Sequence, residues 1–227
     1  MTRQNRKLLG AIAISIAAGL LPGTALADAG FKKWINGFYA TAAKNGISQK
    51  TYMQAFAGVS EPDPFVLEKA RYQPEFRSQI WDYLDSRVNP YTVQVGREMA
   101  AKYGSTLAAL ERHFGVDRHV LLAIWSMESN YGAALETPDR LHHVPRALAT
   151  LGYADAKRSK YAKTQLIAAL KMLQNGDVAS KNLMGSWAGA MGHTQFIPSS
   201  YLLYAIDADG NGRKDIWHSV PDALATA

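Results

Sequence analysis

The chain has 227 residues, with 25 Lys and Arg against 19 Asp and Glu, a formal net charge of +6, and no cysteine. Disulfides, thiolate nucleophiles and Cys-ligated metals are excluded, so a chain of this length must hold itself together by core packing, as one sizeable domain or one domain with lobes. The charge excess is mild and no Lys/Arg block resembles a nucleic-acid-binding arm, so nucleic acid is not an expected partner.

Residues 1–27 read as a secretory signal peptide. Arg3, Arg6 and Lys7 form a basic start, Leu8 to Leu21 a small apolar run, and Ala25-Leu26-Ala27 an A-x-A cleavage site. The run is short for a membrane-spanning helix. A soluble, exported chain beginning near Asp28 is expected. Three of the 25 basic residues lie in this segment, leaving 22 against 19 acidic ones, a balance suited to weak attraction to an anionic polymer.

The rest reads as mainly α. Phe31, Trp34, Ile35, Phe38 and Ala42 keep one helix face, and Gly46 ends it. Ser48 caps a short helix through Phe56. Gly58 to Pro64 is turn-rich, with Pro62 and Pro64 against any helix. Glu75 to Val88 reads as a helix stopped by Asn89-Pro90. A helix from about Thr92 ends at Gly104, Ser105 caps the next, which ends at Gly115, and Asp117 caps a third. Ser159 to Gln174 is amphipathic, with Tyr161, Leu166, Ala169, Leu170 and Leu173 on one face and Asn175-Gly176 closing it. Ser219 caps a last helix, with Asp222 three residues on; it is too short to be stable alone and reads as a fold cut off at its C-terminal end. No segment shows the alternation of a long strand, and there is no internal repeat.

Two stretches carry chemistry. The Asp117-capped helix ends in Trp125-Ser126-Met127-Glu128-Ser129-Asn130-Tyr131-Gly132. Glu128 falls on the stripe of Leu121, Ile124 and Trp125, which places a carboxylate toward the core near a helix C-terminus, where desolvation and the dipole both favour its protonated form. A protonated carboxyl is a general acid. The alternative is a Glu at a frayed end facing water. The second stretch is Gly185 to Tyr201, in which Gly185, Gly189 and Gly192 permit close backbone approach, Ser186, His193, Thr194 and Gln195 offer hydrogen bonds, and Trp187, Phe196 and Tyr201 offer flat faces. That composition suits a sugar cleft, or a tightly packed helix-to-loop crossing.

Glu128 to Gly132, Ala147 to Leu151, Gly185 to Tyr201 and Asp207 to Trp217, in this order and spacing, resemble the membrane-bound lytic transglycosylase B family of peptidoglycan-cleaving enzymes, over about Phe31 to the end. The resemblance implies a lysozyme-like catalytic core with additional helices, filling residues 28–227. It implies that Glu128 is the single acid/base, that Ser186 and Gln195 contact the sugar near it, and that Tyr83 and Tyr131 belong to the substrate-binding set. Lys157 and Arg158 occupy the place of a basic pair that is usually Arg-Arg; the lysine lacks a planar bidentate fork. A two-carboxylate glycosidase needs a second acid, and none is nominated, since Glu136 and Asp139 lie in a loop. The implied reaction protonates the β-1,4 bond between N-acetylmuramic acid and N-acetylglucosamine and leaves 1,6-anhydromuramic ends. A hydrolytic muramidase and a non-catalytic peptidoglycan-binding fragment are the alternatives.

Asp207, Asp209, Asn211 and Asp215 stand at positions 1, 3, 5 and 9 of a calcium-loop pattern with Gly212 at position 6; Arg213 would offer its carbonyl, and His218 replaces the usual Glu at position 12. Asp222 is a later carboxylate able to complete the shell, as in the resembled family. A structural calcium and an Asp/Asn/Gly turn without an ion both fit; no cofactor is needed for the chemistry. His142, His143 and His193 lack zinc-site spacing, and the serines lack G-x-S-x-G context. The implied partner is the peptidoglycan strand, with cell-wall synthesis enzymes as further candidates, for a monomer in the periplasm.

Overall fold

A computed structural model describes residues 23–71 and 79–227. Helix α1, Gly23–Lys44, buries Phe31, Ile35, Phe38 and Ala42, the face expected from their spacing. It begins before the A-x-A site, so the helix runs through the expected cleavage point; residues 1–22, with the rest of the signal-peptide pattern, lie outside the described residues. Among the described residues no helix is long and apolar enough to cross a membrane.

Ser48 caps α2, Gln49–Ala55, accepting the Thr51 N–H at 3.2 Å. Helix α3, Pro64–Arg71, corrects the turn-rich reading of this region at its end. Pro64 opens the helix rather than breaking it, since the first helical position needs no N–H donor. Asp63 supplies the cap, accepting from Phe65 N at 3.0 Å and Val66 N at 3.3 Å. Helix α4 is Ile80–Arg87; of the expected helix from Glu75, positions 75–78 lie outside the described residues. Helix α5, Pro90–Lys102, starts two residues before the expected Thr92, because Asn89 and Thr92 form a reciprocal capping box with Pro90 at the first position. Ser105 caps nothing: α6, Gly104–Phe114, follows α5 across the single residue Tyr103.

Asp117 caps α7, Arg118–Ser129, as expected. Two 3-10 turns, Ala133–Glu136 and Pro138–Arg140, lead to β1, His142–His143, then α8, Val144–Ala154, and α9, Ser159–Asn175. Strand β2, Met184–Gly185, pairs antiparallel with β1, His142 opposite Gly185. Helices α10, Pro198–Tyr204, and α11, Val220–Thr226, complete the described elements.

The α8/α9 pair is the centre. Ala147, Ala149, Ala162, Ala168 and Ala169 are buried, and small residues let the two helices approach closely. Phe31, Ile35 and Phe38 of α1, Tyr52 of α2 and Tyr201 of α10 pack on Leu148, Leu166 and Leu170. Gln165 of α9 is buried and docks the N-terminus of α10, accepting from Ser199 N and donating to Ser199 Oγ, both at 3.0 Å. Tyr161 departs from the expected stripe and is 39 % exposed. A second cluster joins Leu107 and Leu110 of α6, Leu121, Leu122 and Trp125 of α7, and Val220 and Leu224 of α11. Thus α7 is packed against α6 and α11 in this second cluster.

Candidate active site

Helix α7 buries Leu121, Leu122, Trp125 and Ser129. Glu128 sits on the flank of that stripe and is exposed, which overturns the core-facing expectation and agrees with the water-facing one. The stripe is centred on Trp125, so residue 128 lies at its edge where the helix ends. Among the described residues the Glu128 carboxylate makes no hydrogen bond or ion pair, and it is therefore free for a ligand.

The chain after Glu128 takes three left-handed residues in succession, Asn130 (φ 51°), Tyr131 (φ 57°) and Gly132 (φ 92°). Side chains hold this reversal in place. Ser129 Oγ donates to His193 O at 2.6 Å and accepts from Gly132 N at 2.9 Å. Trp125 Nε1 donates to His193 Nδ1 at 3.1 Å. Tyr131 packs edge-on against Trp125 at 5.5 Å, with its hydroxyl over Gly96 of α5. It is half-buried.

His193 belongs to the second predicted stretch. Ser186 N donates to Ala190 O at 2.7 Å, and Ser186 Oγ accepts from Ala190 N at 3.0 Å, closing a tight turn. Met191 and Phe196 exchange two backbone bonds, and between them Gln195 (φ 51°) folds back, donating from Nε2 to Gly192 O at 3.0 Å. Ser186 and Gln195 are both half-buried. The loop is thus a compact hairpin whose turn presses on α7. Burial and the nearby His218 charge push the His193 imidazole below the usual histidine value, against the opposing charges of Asp215 and Glu136. A groove of about 460 Å³ opens beside this junction, lined by Gly132, Glu136, Met184, His193, Trp217 and His218 among others.

The acidic loop is ordered by its own oxygens. Asp222 is fully buried; Oδ1 accepts from Ala208 N at 2.8 Å and Asp209 N at 3.3 Å, and Oδ2 accepts from Asp215 N at 2.8 Å. Asp207 accepts from Gly210, Asn211 and Gly212, Asp209 from Asn211 and Ser219, and Asn211 Oδ1 from Arg213 N. Carboxylate oxygens of Asp207, Asp209 and Asp222 lie within 4.8 Å of one another. Tyr201, raised above the usual tyrosine range by burial first and nearby carboxylates second, donates to Lys214 O at 2.8 Å and anchors the loop to α10.

The other expected residues lie on α4 and just before α9. Tyr83 is half-buried on α4, under the Arg87 guanidinium at 5.5 Å. Lys157 is exposed. Arg158 donates to Asp155 Oδ2 at 2.6 Å and Ala70 O at 3.0 Å and lies over the Trp187 ring at 5.7 Å, so part of its fork is spent on holding the C-terminal end of α3 beside Ser186's neighbour. The sequence reading missed the roles of Ser129 and His193. Its one available signal was a serine four residues after Trp125, a polar side chain on an apolar stripe. It also missed the pair of Asp63 and His142, joined at 2.8 Å and both buried.

Residues 30–227 match the Transglycosylase SLT domain family. The chain is 33 % identical over 144 residues to membrane-bound lytic murein transglycosylase B of Escherichia coli (strain K12), covering 63 % of this chain and 38 % of that protein. It superposes on SltB3 from Pseudomonas aeruginosa, solved in complex with NAG-anhNAM-pentapeptide, with TM-score 0.80 and 45 % identity, covering 86 % of this chain and 51 % of that one. It superposes on the Escherichia coli lytic transglycosylase Slt35, solved in complex with calcium, with TM-score 0.71 and 27 % identity, covering 87 % and 60 %. The chain therefore spans about half the length or less of membrane-bound lytic murein transglycosylase B and SltB3. Its fold is the mainly α, lysozyme-like one of these lytic transglycosylases.

Proposed function

The chain belongs to the Transglycosylase SLT domain family, and on that premise we propose that it cleaves the β-1,4 bond between N-acetylmuramic acid and N-acetylglucosamine in peptidoglycan, with Glu128 as its single acid and base. The observation that carries this is a free, exposed carboxylate at the end of a helix whose last turn is pinned to the loop bearing Ser186 and Gln195.

Glu128 donates its proton to the glycosidic oxygen as the bond from muramic C1 breaks. The substrate's own N-acetyl group stabilises the oxocarbenium-like centre, so no second carboxylate is required. The bound strand, lying over Glu128, excludes the water that now surrounds it. Glu128, left ionised, then takes the proton of the muramic 6-hydroxyl as its oxygen bonds to C1. The ring closes to a 1,6-anhydro end, water is not consumed, and Glu128 is again protonated. Ser186, Gln195, Tyr131, Tyr83, Lys157 and Arg158 contact the strand.

A structural calcium belongs to the same reading. Asp207, Asp209 and Asp222 supply a hard-oxygen set of the right kind, with Asn211 and the Arg213 carbonyl beside them. The buried Asp222 carboxylate, which has only N–H donors to offset its charge, fits a cation. The ion would tie the loop to α11 and take no part in the chemistry. The protein acts as a monomer in the periplasm, reached through a signal peptide cleaved after Ala27, on glycan strands, with cell-wall synthesis enzymes as candidate partners.

The test is mass spectrometry of soluble fragments released from purified sacculi by residues 28–227, beside Glu128→Gln. Fragments with 1,6-anhydromuramic ends, absent with the variant, are expected. Reducing ends would make the protein a hydrolase. Full activity of Glu128→Gln would remove Glu128 from the chemistry, and binding without any product would leave a binding protein.

A further inference from the structure

Glu128 has neighbours at positions 125 and 129, and both are fastened to one residue. Trp125 reaches the ring of His193 and Ser129 reaches its backbone oxygen. Gly132, which closes the left-handed reversal, has no room for a Cβ against the same ring. His193 itself is tied by its N–H to Ile216 O at 3.0 Å, where the acidic loop returns to the core. One residue thus joins, by its ring and its backbone, the acid-bearing helix, the loop that holds Ser186 and Gln195, and the chain leaving the acidic loop.

The hydrogen bond from Trp125 also sets the chemistry of the ring. An indole N–H only donates, so His193 Nδ1 must be an unprotonated acceptor, and the imidazole must carry its proton on Nε2. We infer that His193 is a positioning residue for Glu128: as the neutral Nε2–H tautomer it locks the last turn of α7 and fixes where the carboxyl stands relative to Ser186 and Gln195. Burial of the ring acts in the same direction by disfavouring its charged form, and the charged and titratable groups facing it are His218, Asp215 and Glu136. This role rests on the proposed transglycosylase reading, because it is the acid of that reaction that is positioned. A misplacement of about 1 Å at such a group costs up to about a hundredfold in rate without loss of substrate affinity.

The experiment has two arms. In the first, long-range 1H–15N NMR of the wild-type chain assigns the His193 tautomer, with Nε2–H expected; an Nδ1–H tautomer overturns the inference whatever the catalytic activity. In the second, His193→Ala and His193→Asn are assayed on solubilised glycan strands. Asn places its Oδ1 where Nδ1 stood and can accept from Trp125. His193→Ala is expected to lower kcat at least about tenfold with KM within about twofold, and His193→Asn to recover most of that loss. A kcat for His193→Ala within about twofold of wild type, or a change confined to KM, overturns it. Should His193→Ala fail to melt cooperatively, the tautomer and the Asn variant decide. Failure of the wild type to release any product would instead sink the proposed function, with the tautomer still reporting on the clamp.

Discussion

Replacing Asp222 by Asn is the sharpest test of how the acidic loop is held. The side chain is 0 % exposed and accepts three backbone N–H groups, two on Oδ1 and one, from Asp215, on Oδ2. An amide has the same shape, but one of its two ends donates. In either orientation at least one loop N–H then faces an NH2, and two donors meet in a fully buried site. A hydrogen bond to a charged group contributes about 1.5–3 kcal/mol, and a buried donor left unpaired costs about 1–3 kcal/mol. These overlap, so a loss of about 3 kcal/mol is expected, or a fall in Tm of about 6–12 °C for a domain near this size. The assay is far-UV circular dichroism melting of both proteins in chelator and again in millimolar calcium. Calcium bound only by the folded state adds RT ln(1 + [L]/Kd) to stability, so the wild type should rise with calcium while the variant rises less, widening the gap. A Tm within about 2 °C of wild type in chelator would refute the account of the buried carboxylate. Equal gains in calcium would refute Asp222 as a ligand.

The remaining tests concern the scaffold and the basic pair. Burial pushes the Asp63 carboxyl up, but the hydrogen bond from His142, the Val66 amide and the charges of His142 and Arg146 outweigh it and hold the group below the usual carboxylate value. With the folded value below the unfolded one, this stability is present above the unfolded pKa of about 3.9 and is lost as pH falls through the folded value. Asp63→Asn, which keeps a competent helix cap, should therefore cost about 1.5–3 kcal/mol at pH 7, and urea melts should show the gap to wild type closing below about pH 4. Gly132→Ala places a Cβ at φ 92° against the His193 ring; strain and overpacking together should cost about 2–4 kcal/mol, read by thermal melting, and lower kcat in step with His193→Ala. Arg158→Ala should lose about 1–2 kcal/mol, since it removes bonds to Asp155 and Ala70, whereas Lys157→Ala should leave Tm unchanged and raise KM alone.

What could be read from sequence follows how local the cause is. The α7 boundaries were legible because Asp117 is a strong cap and the apolar spacing is regular, and α2 because Ser48 is. Helix α3 was misread because Pro62 and Pro64 look like breakers until Asp63 is seen capping between them. Ser105 was misread because a cap needs a preceding turn, and here α5 hands over to α6 at Tyr103 with no room for one. Glu128 as a residue of interest was legible from its motif, but its exposure was not: helical periodicity fixes an angle about the axis and cannot say where the neighbouring chain stops covering it. The roles of His193, Ser129 and the Asp63–His142 pair depend on contacts across 64, 68 and 79 positions, which no local pattern encodes.

The site also explains where the fold accepts strain. A non-glycine residue in the left-handed region is disfavoured by about 1–2 kcal/mol, and two of them, Asn130 and Tyr131, follow directly after α7, with Gln195 a third in the facing loop. Asn130 and Tyr131 directly follow the turn that carries Glu128, Gln195 lies in the loop that also carries Ser186, and none lies in the packed α8/α9 centre. A simple glycine cap, as Gly176 gives α9, would have ended α7 with less strain. The reversal used instead turns Tyr131 back over Trp125 and brings Gly132 under His193, closing a ring of contacts around the last helical turn. Strain kept at one place by surrounding contacts, while the core is relaxed, is the pattern expected where geometry matters to function. On the proposed reading, exposure leaves Glu128 open to a polymer, and the over-determined backbone holds a carboxylate that has no hydrogen-bond or ion-pair partner among the described residues.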